Sequence, residues 1–349
     1  MPGFLSWISS LFSSPQPLTP VLPEARLINP AKEQSNDDNL ENGLELTRKL
    51  EEHLFCWLLD AKPSALIGES WHASEILGEL EHRLSEDQLD ELPRQPLSLP
   101  MLLRALADES TARQHVTEII LRDPGLTDQL LQVANSPFFR HGDKIIESID
   151  QAVFLLGIDG IRNVVSAAVM RPMMAARNSV EALFAKRVWR WGLSCARASE
   201  QIAKFHNADT SAHFMAGLLP ALAYITLFRE LQRICRAQQN TAPPPALIRQ
   251  AMTRYQWSTS QLLAKAWNLP PRFSALLLAA ERPAPRQDHT PLNDGIIIGT
   301  REVLRHANQR NLAEDDLPNV VQLSPQQIKL VRESLLAMLR DEGRSPARL

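Results

Sequence analysis

One stretch of the chain concentrates side chains able to do chemistry: Arg171, Arg177, Lys186, Arg187, Arg190 and Arg197 are interleaved with Trp189 and Trp191. Cationic heads bind phosphate and an indole face stacks a base, so 171–197 is a candidate surface for a nucleotide or a nucleic acid. The plainer reading places an indole in the core and leaves the arginines in solvent. Metal chemistry would call on the 9 histidines, which contain no H-E-x-x-H pattern and no i, i+4 pair. There is no His-Asp dipeptide, only the reverse order at Asp288-His289. His213 alone sits in a largely apolar run, without a nearby carboxylate partner. Cys56, Cys195 and Cys235 are far apart and never form C-x-x-C, which points away from a disulfide framework or a zinc knuckle. G-x-G-x-x-G, G-x-x-x-x-G-K-S/T and G-x-S-x-G are all absent, so those nucleotide-binding and nucleophile-elbow routes are excluded.

The elements that must position these groups are bounded by composition. With 349 residues the prior is about two domains, or one large domain with an appendage. The formal charge of −3 makes a general nucleic-acid coat improbable, and 44% hydrophobic with 22% charged residues excludes a mostly disordered chain. Met1 to Phe12 has neither a basic n-region nor a small-residue cleavage site, and with the isolated cysteines this makes a cytoplasmic protein the expectation. The uncharged run Thr210–Phe228 contains Thr210, Ser211, His213 and Pro220, so it reads as a buried core helix rather than a membrane span.

Residues 1–39 read as a disordered Pro-rich tail carrying a short amphipathic helix at 4–12, where Phe4, Leu5, Trp7, Ile8, Leu11 and Phe12 share a face that could touch a membrane surface. Residues 40–92 read as a small helical unit with two patterns separated by Pro63. Residues 97–340 read as one long helical domain. Asp123-Pro124 pairs an N-cap with a proline at the first helical position, and Asn135-Ser136-Pro137 ends that helix. Ser148 with Gln151 and Ser324 with Gln327 are capping boxes, and Gly157 is a natural helix stop. Later helices are expected at 161–170, 180–205, 212–237, 245–255, 258–267, 271–280 and 294–308. No alternation long enough for a strand occurs, so the fold class is all-α.

Leu99-Pro100, Ile119 to Thr127, Leu130 to Ser136, Ser148 to Gly157 and Ile161-Arg162 occur in an order and spacing that resembles the HDOD domain family. These are all-helical relatives of the HD metal-dependent phosphohydrolases, found in bacterial signalling proteins. The resemblance implies an HD-like multi-helix bundle. It also implies where HD enzymes build their metal site, from a His, a His-Asp dipeptide and a later Asp. Relatives carry Trp-Arg-His-Ser where this chain has Trp189-Arg190-Trp191-Gly192, and Gly-Leu-Leu-His-Asp where it has Gly217-Leu218-Leu219-Pro220-Ala221. Trp191, Pro220 and Ala221 then stand at expected ligand positions and cannot coordinate a metal, and Pro220 should bend or break its helix locally.

What the resemblance implies is a non-catalytic signalling protein, an interaction platform for a signalling partner that needs no cofactor. The candidate interaction or signature residues are Asp123, Pro124, Asn135, Ser136, Gly157, Arg162, Arg190 and Trp191. One alternative is a nucleotide or nucleic-acid sensor built on 171–197. A divergent metal-dependent phosphohydrolase would need ligands from other positions, such as His206, Asp209 and His213.

Overall fold

A computed structural model describes residues 30–68, 73–95, 113–136, 138–139, 145–239, 241–281 and 289–342. The amphipathic segment 4–12, Leu99-Pro100 and His141 lie outside the described residues. The chain divides into two compact units, Met1–Leu40 and Glu41–Leu349. In the first, only residues 30–40 are described, and they are helical, so regular structure starts inside the segment 1–39 expected as tail.

The described helices are α1 Pro30–Leu58, α2 Ala73–Ser85, α3 Arg113–Leu121, α4 Pro124–Ala134, α5 Ile149–Met170, α6 Ser179–Phe205, α7 Thr210–Gln239, α8 Pro245–Ala266, α9 Pro271–Glu281, α10 Pro291–His306 and α11 Pro325–Glu342. Short 3-10 turns occupy Pro63–Leu66, Arg171–Met174 and Leu317–Asn319, and the described residues contain no strand. Pro30, Pro124, Pro245, Pro271, Pro291 and Pro325 each begin a helix, where the missing N–H would have had no partner. Six of the 25 prolines are therefore helix-starting residues. The caps are explicit: Asp123 Oδ1 accepts from Leu126 N at 3.0 Å, Asn178 Oδ1 from Glu181 N at 3.0 Å, and Thr290 Oγ1 from Asn293 N at 3.1 Å.

Around α6 the second unit is layered. Helices α7 and α10 pack along α6, α8 lies against α7 with α9 on it, and α11 covers α6 and α10. Helices α3 and α4 pack on α5, which joins the rest through α7. The segment 40–92 packs on this same body: α2 contacts α7 and α8, and Trp267 Nε1 donates to the Pro93 carbonyl at 2.8 Å.

Two helices run on where the sequence suggested breaks. The expected helices 245–255 and 258–267 are one helix, because 256–258 holds neither Gly nor Pro and the Ser260 hydroxyl bonds back to the Gln256 carbonyl at 2.7 Å. Helix α7 runs through Pro220 as the expected helix 212–237 does, without the break that the proline suggested. Proline removes one backbone donor, but Ala212 to Ile225 is buried almost without interruption, and burial on that scale outweighs one lost hydrogen bond. This helix is also long and apolar enough to cross a membrane by length and composition, and its apolar window is buried within the fold.

Candidate functional site

The signature residues of the first half act through backbone geometry. Asp123 and Pro124 start α4, and Asn135 and Ser136 finish it, about 16 Å away at 1.5 Å per residue. Asn135 closes the turn into α5 with both ends of its amide: Nδ2 donates to the carbonyls of Leu131 at 2.9 Å and Ile146 at 2.7 Å, and Oδ1 accepts from Ile146 N at 2.8 Å. The Ser136 hydroxyl donates to the Val133 carbonyl at 2.6 Å. Gln151 N donates to Ser148 Oγ at 3.1 Å, while the Gln151 side chain accepts from the N–H of Glu147, one residue before the cap, at 2.9 Å. Within α5, Gly157 has φ 68° and ψ −179°, a conformation reserved for glycine, and kinks the helix there. Arg162 lies beyond the kink, half-buried.

In the second half, side-chain packing dominates. Gly192, Cys195, Ala196 and Ser199 recur along one stripe of α6 at helical spacing, and backbones close in on it. A Cβ on Gly299 would stand 2.7 Å from Cys195 Cα, one on Gly295 2.6 Å from Ser199 N, one on Gly217 2.6 Å from Ala196 Cα, and one on Gly192 2.5 Å from Ala221 Cβ. Trp191, 1% exposed, donates from Nε1 to Thr300 Oγ1 at 2.8 Å. Its ring stacks on Tyr224 with centroids 4.7 Å apart, and Tyr224 stacks in turn on Phe55 at 5.8 Å. Burial pushes the Tyr224 phenol and the Cys195 thiol well above their ordinary pKa values, so both are neutral and the thiol is a poor nucleophile.

This column does not fit a divalent metal. Indole is not a ligand, Ala221 and Pro220 offer no donor, and Ala221 abuts the Gly192 backbone. Among the described residues no group of three His, Cys, Asp or Glu side chains gathers to hold an ion. His206, Asp209 and His213 do not converge either. Asp209 Oδ1 caps α7 through Ala212 N at 2.9 Å, and the buried His213 donates from Nδ1 to the Asp209 carbonyl at 2.7 Å. Burial holds the His213 pKa below its ordinary 6.5.

The basic stretch is divided by its partners. Arg177 pairs with Glu91 at 2.5 Å, Arg197 with Glu200 at 2.7 Å, and Arg187 with Asp60 at 3.0 Å while it lies over the Trp57 ring at 5.7 Å. Arg190 is half-buried on α6 beside Trp191. Arg171 and Lys186 are exposed and make no ion pair among the described residues. Both line a groove of about 500 Å3 with Trp189. The eight signature positions are thus spread over α4, α5 and α6 and do not form one site. Sequence reasoning missed the partners of Trp191, namely Tyr224, Phe55 and Thr300. It also missed the close approach of α10, for which the four-residue spacing of Gly295 and Gly299 was the available signal.

No curated protein matches the chain. Among solved structures, a protein of Shewanella amazonensis provisionally named a metal-dependent phosphohydrolase is 19% identical with a TM-score of 0.57, covering 78% of this chain and 100% of its own. A second protein from that organism, provisionally named a phosphohydrolase, is 18% identical with a TM-score of 0.53, covering 75% of this chain and 97% of its own. At these identities the likeness is one of fold: an all-helical, HD-like bundle. The family profile described as HDOD domain matches residues 92–283, which take in the Asp123 cap, the Asn135 clamp, the Gly157 kink and the Trp191 column. The chain therefore belongs to the HDOD domain family, degenerate relatives of the HD phosphohydrolases.

Proposed function

We propose that this chain is a non-catalytic signal-transduction protein, cytoplasmic, whose HDOD body at 97–340 is a platform for a protein partner and whose helical segment 40–92 adds docking surface. The observation that carries the reading is the aromatic column: Trp191, held by Thr300 and stacked on Tyr224, lies on the helix where HD enzymes would present a metal-binding His. Activating water for attack on phosphorus needs an open coordination position beside an ion, and a close-packed indole offers neither ligand nor room. Asp123, Asn135, Ser136 and Ser148 in the first half are likewise committed to caps and turns. What remains for such a body is surface, and surface works by binding.

The test has two arms on the full chain. Metal analysis after purification with added manganese, nickel or magnesium should find less than one ion per chain, and phosphodiester and nucleotide hydrolysis should stay at the buffer rate. Stoichiometric metal with turnover overturns the non-catalytic assignment. In the second arm, a protein captured from the native cell should bind saturably when the complex is rebuilt from purified components; failure of every captured protein to do so overturns the platform.

A further inference from the structure

The groove beside Trp189 brings together two exposed cations, Arg171 and Lys186, and a half-buried indole. It runs between α4 and α6 over residues 171–176 and encloses about 500 Å3, within the range of roughly 300–1,000 Å3 usual for small-molecule sites. Ala182, Ala185, Lys186 and Trp189 recur at i, i+3, i+4 and i+7 along α6, so all four face it. Gln129 and Gln132, three apart on α4, supply amides able both to donate and to accept. The groove's apolar lining is small, with Pro172, Ala175 and Ala176 exposed and Met174 and Ala185 buried beside the half-buried indole.

Charge separates this groove from two others. Glu81, Asp87 and Glu281 line the groove between α2, α8 and α9. Glu91 and Glu181 line the one where Arg177 and Arg229 are already ion-paired. The Trp189 groove has no carboxylate in its lining and has two exposed cations, Arg171 and Lys186, that are unpaired among the described residues. Its base is also fixed in place. Arg229, held by Glu181 at 2.8 Å, donates to the carbonyls of Met173 at 2.9 Å and Ala175 at 2.8 Å, so residues 173–175 are tied to α7 before any ligand arrives.

We propose that this groove binds a mononucleotide, its base against the Trp189 indole and its phosphate between Arg171 and Lys186. Base stacking on an aromatic side chain and charge-assisted bonds to phosphate are separate contributions, and both are present. A nucleic-acid strand is the poorer occupant. A strand needs a track of free cations, and Arg177, Arg187 and Arg197 on the flanks are each paired with a carboxylate.

The proposal goes beyond the platform reading and is tested apart from it, by isothermal titration of the full chain with the 5′-monophosphates of adenosine, guanosine, cytidine and uridine. At least one should bind saturably, one per chain, and its free nucleoside and inorganic phosphate should each bind at least about tenfold more weakly, since each lacks half of the contacts. The double variant Arg171→Glu, Lys186→Glu should lose at least about tenfold in affinity while its unliganded melting temperature stays put, because both side chains are exposed and unpaired. Trp189→Phe keeps an aromatic ring and should lose less. No saturable binding by any of the four up to about 5 mM, well above usual substrate KM values, overturns the proposal. So does binding that survives the charge reversal, or inorganic phosphate binding as tightly as the nucleotide. The platform test does not depend on this outcome.

Discussion

The turn from α4 into α5 and the aromatic interior of α6 belong to one domain but use side chains in opposite ways. At the turn, polar residues satisfy the backbone: Asp123, Asn135, Ser136 and Ser148 each bond a main-chain group, and Gly157 supplies a backbone angle. In the interior, side chains meet side chains, with Trp191 between Thr300 and Tyr224 and glycines letting backbones touch. There, a lost side chain can be replaced by another that fills the same space. The turn residues cannot be exchanged so easily, because no apolar side chain replaces a cap.

Trp191 should carry the largest effect. Truncation to alanine removes the stack and the Thr300 bond and leaves a cavity where α6, α7 and α10 meet. The expected cost is about 3–5 kcal/mol, the usual range for a buried aromatic, read as a lower urea midpoint at unchanged slope. A cost under about 1 kcal/mol would mean that the interior is not held by this column. Trp191→His should be destabilising as well and should bind no manganese or nickel, because Pro220 and Ala221 still supply no second or third ligand.

Two glycines separate the regions by mechanism. Gly299→Ala places a Cβ 2.7 Å from the Cys195 backbone, so a helix must move; overpacking of this sort costs about 1–3 kcal/mol. Gly157→Ala meets nothing within 4 Å, yet its φ of 68° with ψ of −179° is strained for any L residue, at about 1–3 kcal/mol. Neither cost is relieved by trimming a side chain: Cys195→Gly leaves the backbone approach in place and should not rescue Gly299→Ala, and with nothing within 4 Å to trim, no neighbouring substitution should rescue Gly157→Ala. Asn135→Ala should fall in the same range, at about 1–3 kcal/mol, because it leaves the Ile146 main chain without its partner. Thermal melts of the three variants check that their costs are similar.

These contrasts also explain what could be read from the sequence. Caps and turns are local, so Asp123-Pro124, Ser148 with Gln151 and Ser324 with Gln327 were legible from spacing alone, and Gly157, read as a stop, is a kink within one helix; the absence of any strand-length alternation made the fold all-α. Long-range packing was not legible. The uncharged run around Pro220 was legible as a buried helix at 212–237, but not which helices would pack on it and hold it together through the proline, and nothing near Trp191 names Thr300, 109 positions away. The divided basic stretch is the same case. Arg187 and Arg171 look alike in sequence, and only the fold places Asp60 beside one and open groove beside the other.

The smallest expected effect, a single titration, also distinguishes the regions. His213 in α7 is buried and its pKa lies below 6.5, chiefly from burial, with the Asp209 carbonyl and carboxylate opposing and His206 adding to the depression. The unfolded chain therefore binds the proton better than the folded one. Stability from this group is complete above the unfolded value of 6.5 and declines as pH falls below it toward the depressed folded value. His53 is shifted the same way by burial, so His213→Gln should flatten the urea-midpoint profile between about pH 7.5 and 5 only in part. The Asn135 clamp is made of a neutral amide and main-chain groups, so Asn135→Ala should lower that profile by the same amount at every pH. A clamp variant whose cost changed across this window would tie the turn to a titrating group and dissolve the distinction between the two regions.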